Sequence, residues 1–98
     1  MSFSDEKIEA VWNKAKKIPN NDKWRKDACG AWIHRDSYGK TSKGGWEIDH
    51  IFPESKGGSH DLANLQPLHW ENNRSKGDDY PNYNCAVTSK GTENVPVK

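Results

Sequence analysis

Asp49 and His50 stand side by side, Asn64 follows fourteen positions after His50, and Asn73 nine positions after that. A carboxylate, an imidazole and two amides are a sufficient kit for hydrolysing a phosphodiester. The attacking water must lose a proton, and histidine, with an ordinary pKa of about 6.5, takes one readily near neutral pH. The leaving and non-bridging oxygens gain negative charge, which a hard divalent cation on oxygen ligands stabilises. Asp49 offers such an ion a carboxylate and Asn73 an amide oxygen. Two protein oxygens leave room for water and phosphate, which suits Mg²⁺. Asn64 can brace a loop by hydrogen bonding and so aim His50.

Local structure has to gather these groups. Trp46 to Ile51 alternates in character and reads as a strand, Phe52 to Ala63 as a long loop with Pro53, Gly57 and Gly58, and Leu65 to Leu68 as a second strand pairing with the first. Trp70 to Lys76 reads as a helix ended by Gly77. Strand neighbours point to opposite faces, so Asp49 and His50 share a site only if the strand ends or bulges there.

Upstream, Ser4 is a helix N-cap with Asp5 and Glu6 in the first turn. Ile8, Val11, Trp12 and Ala15 fall on one helical face, Lys14, Lys16 and Lys17 crowd the end, and Pro19 closes the pattern. Asn20 to Asp22 is expected as a turn, Ile33 to Tyr38 as a short strand, and Gly39 to Gly45 as a polar, flexible loop. Asp27 and Gly30 are expected to shape the link into the first strand. The expected division is 1–22 for the helix and its turn, 23–78 for the core, and 79–98 for an irregular, frayed tail.

The chain has 98 residues, 30% charged and 32% hydrophobic, and a mean hydropathy of −1.13. Those values lean toward disorder, but five tryptophans oppose it, because a few such side chains build a small core. None follows Trp70, so the last stretch reads as peripheral. A net charge of +1 is no global basic signature, and any electrostatic footprint must be local. Two lone cysteines, Cys29 and Cys85, without a CxxC pair, point to neither a disulfide scaffold nor a zinc ribbon. A bridge between them is expected only outside a reducing cytosol. No charged-then-apolar leader and no long apolar run is visible, so no membrane association and a cytoplasmic location, or the host-cell cytoplasm for a phage-encoded protein, are expected.

The stretch from Trp46 to Asp78 resembles the HNH endonuclease family. The matching residues are Asp49-His50, Asn64 and Asn73, with Ile48, Ile51, Pro53, Ser55-Lys56-Gly57-Gly58, Asn64-Leu65-Gln66-Pro67-Leu68 and Lys76-Gly77-Asp78 around them. Trp24 to Gly45 is similar to small bacterial and phage members that lack a zinc ribbon. The resemblance implies an α+β fold in which an N-terminal helix covers a ββα-metal (His-Me finger) core. It implies His50 as general base, Asn64 as the residue holding the loop, and Asp49 and Asn73 as ligands of one divalent cation, Mg²⁺ or Mn²⁺. The implied reaction is hydrolysis of DNA to 3′-hydroxyl and 5′-phosphate ends, and one site per chain suggests nicking by a monomer or paired cuts by a weak homodimer. Many members bind structural zinc through two CxxC pairs. Here Cys29 stands where one such cysteine would be, and His69 and Asn72 lie where a second pair usually does, so no structural zinc is expected.

Other residues carry two readings each. Lys56 and Gly57 bring an ammonium and backbone N–H groups to a phosphate, or form a plain turn with Gly58. Arg74 and Lys76 touch a nucleic-acid backbone, or are surface charges. His69 flanks the metal or packs as a hydrogen-bonded residue, while His34 and His60 are expected in solvent. The tryptophans are expected in the core. Two rival functions remain: an inactive nucleic-acid-binding module of the same fold, and a structural zinc protein using Cys29, His69 and Cys85.

Overall fold

In the computed structural model, which describes residues 2–97, the chain starts with helix α1, Asp5–Trp12. Ser4 caps it, its Oγ accepting from the Lys7 N–H at 3.1 Å. The helix is shorter than its apolar pattern predicts. Lys14 N–H and Ala15 N–H bond back to Val11 and Trp12 carbonyls, three residues away, which tightens and ends the last turn. Ala15 is nevertheless buried.

Of the lysines expected to crowd the helix end, Lys16 and Lys17 instead enter β1, Lys16–Ile18, which pairs antiparallel with β2, Asn21–Lys26. Pro19 and Asn20 form the tip, with Asn20 at φ 62, a left-handed conformation asparagine tolerates. Strand β3 is Trp32–His34, one residue earlier and shorter than predicted, and completes a three-stranded sheet in the order β1-β2-β3. Strands β4, Trp46–His50, and β5, Leu65–His69, form a second antiparallel pair in unbroken register from Trp46 opposite His69 to His50 opposite Leu65. The β4–β5 loop carries 3-10 turns at Glu54–Lys56 and Leu62–Asn64. Helix α2, Trp70–Lys76, follows β5 directly.

The tail is irregular only over 79–86. Strands β6, Val87–Lys90, and β7, Glu93–Pro96, make a hairpin, and Cys85 is disulfide-bonded to Cys29 with 5.9 Å between their Cα atoms. Both observations correct expectations from sequence. Side-chain amides hold the hairpin down, and periodicity does not report them. Asn94 Oδ1 accepts from Trp32 N–H at 2.6 Å, and Asn94 Nδ2 donates to the Trp32 and Lys43 carbonyls. Gly30, at φ 83, permits the approach, since a Cβ there would lie 2.9 Å from Thr88 Oγ1.

The core forms where α1 meets both sheets: Val11, Trp12, Ala15, Ile33, Trp46 and Leu65, flanked by Phe3, Ile8, Tyr38 and Ile48. Trp12 and Trp46 lie at its centre, ring centroids 5.5 Å apart. The other tryptophans are only half-buried. Trp24 and Trp32 meet edge to face at 6.4 Å, Lys26 lies over Trp32, and Trp70 donates its indole N–H to the Ser42 carbonyl. They knit loops and hairpin to the core rather than fill it. No helix among the described residues is long and apolar enough to cross a membrane.

Candidate active site

Strand β4 ends at His50, as the sequence required if Asp49 and His50 are to meet. Asp49, His50 and Asn73 all line one cleft of about 290 Å³, together with Ile48, Pro53 and Glu54. Alternation puts Glu47 and Asp49 on one face of β4, and α2 lies against that face. Asn73 donates its amide N–H to Glu47 Oε1 at 2.9 Å, and Lys76, one helical turn on, reaches Asp49 Oδ1 at 3.2 Å. Two strand residues advance about 6.6 Å and three helical residues about 4.5 Å, a difference the long lysine side chain spans.

The helix sits there because both its ends are capped. His69 Nδ1 accepts from Glu71 N–H at 3.2 Å, and the Gly77 N–H closes on the Asn73 carbonyl. The other His69 nitrogen lies 2.9 Å from the Lys43 carbonyl, and the residue is only 1% exposed. Of its two readings, the structure shows the packed one.

Asp49 is 5% exposed. Burial pushes its carboxyl above the usual carboxylate range, against the opposing pull of the Gln66 hydrogen bond and the Lys76 ammonium. Gln66, directly opposite on β5, donates to Asp49 Oδ2 at 2.9 Å. Lys76 is 2% exposed, so the expectation that it touches nucleic acid is corrected. It is an internal cation shared by Asp49, the His50 carbonyl at 3.1 Å and the ring of Tyr83. Tyr83, in the tail, thereby reaches the site, and nothing in the sequence pattern announces it.

Asn64 spans the loop. Its Oδ1 accepts from Phe52 N–H at 2.8 Å, and its Nδ2 donates to the Phe52 and Ser59 carbonyls. The N–H groups of Lys56, Gly57 and Gly58 are all donated within the turn, to the Pro53 and Glu54 carbonyls. A backbone phosphate cradle at Gly57 is thereby corrected. Gly58 is needed for packing instead, since a Cβ there would fall 1.7 Å from the Phe52 carbonyl oxygen. Lys56 and Arg74 are exposed, Arg74 lying over Trp70 and 3.9 Å from Glu47 Oε2.

Besides Gln66 and Tyr83, two more residues of the site escaped the sequence reading. Glu47 holds Asn73, and strand alternation from Asp49 was the signal for it. His60 is exposed as expected, yet its Nδ1 lies 2.8 Å from His50 Nε2, and its Nε2 lies 3.3 Å from Glu54 Oε2.

A second cluster closes the opposite end of the β4–β5–α2 unit. Asn72, 0% exposed, donates to Asp27 Oδ2 and the Val87 carbonyl and accepts from the Ala86 and Val87 N–H groups. Asp27 also accepts from Cys29, Ala31 and His69 N–H groups. Hydrogen bonds and a disulfide thus occupy the positions where the resemblance places zinc cysteines. With Cys29 and Cys85 joined and both His69 nitrogens engaged, the Cys29, His69 and Cys85 zinc site is overturned.

The divalent cation implied by the resemblance can be tested against the donors. Among the described residues no group of three or more His, Cys, Asp or Glu side chains is placed to hold an ion. The oxygen donors of the cleft fit a hard cation bound largely through phosphate and water. Asn73 spends its N–H on Glu47, which leaves its carbonyl oxygen for an electrophile, and a carboxylate oxygen that accepts one hydrogen bond retains another lone pair.

Fold and cleft together are those of a small α+β nuclease-type domain. A family model described as HNH endonuclease matches residues 29–79, just over half of the chain, and the protein belongs to that family. No curated protein and no solved structure matches it significantly.

Proposed function

We propose that this protein is a metal-dependent endonuclease that hydrolyses phosphodiester bonds in DNA. The observation that carries the reading is the shared cleft of Asp49, His50 and Asn73. Asp49 and Asn73 would hold one divalent cation, Mg²⁺ or Mn²⁺, which when bound supplies positive charge to the phosphoryl and leaving oxygens. His50 takes the proton of the attacking water. Asn64 keeps the loop beside it in shape, Gln66 and Lys76 hold Asp49, and Glu47 turns the Asn73 oxygen outward. Lys56 and Arg74, on the exposed surface, contact the phosphate backbone, where positive charge contributes affinity without sequence preference.

One site per chain nicks DNA as a monomer or makes paired cuts as a weak homodimer. The Cys29–Cys85 bridge favours an oxidising compartment over the cytoplasm expected from sequence.

Relaxation of supercoiled plasmid with Mg²⁺ or Mn²⁺, its loss with chelator, and its loss in His50→Ala test the reading. Cutting by His50→Ala at the native rate would remove the base assignment. One observation favours a second reading, an inactive nucleic-acid-binding module: both Asp49 oxygens already have protein partners. Plasmid binding without relaxation at any metal concentration would select it.

A further inference from the structure

The base of the proposed reaction is the first of three side chains in a row. His50 Nε2 meets His60 Nδ1 at 2.8 Å, and His60 Nε2 meets Glu54 Oε2 at 3.3 Å. Both contacts can be hydrogen bonds with neutral rings in only one way. An ionised carboxylate accepts and never donates, so the His60 proton sits on Nε2. The Nδ1 of neutral His60 is then an acceptor, and the proton between the rings belongs to His50 Nε2. His50 is left with its lone pair on Nδ1, the nitrogen not consumed by the chain.

The backbone holds His60 in place on both sides. The preceding carbonyl, that of Ser59, accepts from Asn64, and its own carbonyl accepts from the Lys7 ammonium at 3.2 Å. Phe3 flanks both rings, 6.2 Å from His50 and 6.5 Å from His60.

We propose that His60, backed by Glu54, is a positioning residue that fixes His50 in the Nε2–H tautomer, so that Nδ1 is the basic nitrogen. The inference rests on His50 being the base. No proton travels along the chain. The water proton goes to His50 Nδ1, and the imidazolium so formed keeps donating its Nε2–H to His60, whose Nε2–H donates to Glu54. The dipoles of the chain already point the way that stabilises this charge. In the opposite tautomer the lone pair of His50 would face His60 and be spent on it.

Long-range ¹H–¹⁵N spectra of the intact, metal-free protein at a pH where both rings are neutral read the tautomers directly. The expected pattern is a protonated Nε2 and bare Nδ1 on His50, turning to a mixture in His60→Ala. In plasmid relaxation with Mg²⁺, His60→Ala is expected to lower kcat by about 10- to 100-fold, as loss of a partner orienting a reactive group typically does, with KM little changed. His60→Asn keeps an acceptor at the Nδ1 position and should recover part of the loss.

A native His50 carrying its proton on Nδ1, or His60→Ala cutting within twofold of the native rate while His50→Ala is inactive, overturns the positioning role and leaves the base assignment standing. Native-rate cutting by His50→Ala overturns the base assignment itself. A drop in melting temperature of His60→Ala equal to that of His60→Asn, with the His50 tautomer unchanged in both, reduces His60 to a structural residue and also overturns the proposal.

Discussion

The two ends of the β4–β5–α2 unit are built on opposite plans. At the cleft end, His50, Glu54, His60 and Arg74 are at least partly exposed and make few bonds each. At the other end Asp27, His69 and Asn72 are buried, their polar atoms are taken up by partners on four segments of chain, and a disulfide seals the cluster. Unspent bonding capacity is what a site needs to bind and release a substrate. Complete satisfaction is what a small domain needs to hold a unit too small to stand alone. Lys76 and Tyr83 join the two ends, because the tail anchored by the disulfide delivers the ring that covers the ammonium beside Asp49.

Changes at one end should therefore alter rate and changes at the other stability. The largest effect is expected from His50→Ala, a loss of about 10²- to 10⁴-fold in plasmid relaxation, with a melting temperature close to native. Next comes Cys85→Ser or reduction. Opening a cross-link of sequence separation 56 removes about 4 kcal/mol in the chain-entropy description. Calorimetric melting should read this as a fall of more than about 15 °C.

Lys76→Met is the change that should blur the division. It leaves the Asp49 carboxylate buried without its cation, a loss of about 3 kcal/mol or more, and it should slow cleavage as well. Native activity together with a lower melting temperature would mean that Lys76 serves the fold alone. Asn72→Ala should remove about 2–3 kcal/mol, because buried partners lose their bonds, and once folded it should cut at the native rate. The smallest effect is expected from Arg74→Ala, a modest and sequence-independent weakening of DNA binding with a salt dependence shallower by about one unit of slope.

How far the sequence reaches differs in the same way between the two ends. Ser4 as cap, β4 from Trp46, β5 from Leu65 and α2 from Trp70 to Lys76 with its Gly77 stop are all legible, since caps, alternation and glycine stops are local signals. The grouping of Asp49, His50 and Asn73 in one cleft followed from the resemblance to the HNH family rather than from their spacing, which by itself gives no distance. Lys76 was misjudged as a surface contact, since its charge is visible in the sequence and its buried partner is not. The tail reads as frayed because no tryptophan follows Trp70 and its end is polar, but amides on Asn72 and Asn94, with the disulfide, hold it.

By itself the sequence determined which residues could do chemistry and the order of elements that carries them, because those properties depend on side-chain type and short-range spacing. Only the tertiary structure decided which of these residues meet. The His60 bond to His50, the ammonium of Lys76 beside Asp49 and the Cys29–Cys85 bridge each join segments whose approach is set by the packing of α1, both sheets and the hairpin. A hydrogen bond or ion pair exists only at about 3 Å, and no rule of sequence spacing supplies a distance between residues far apart along the chain.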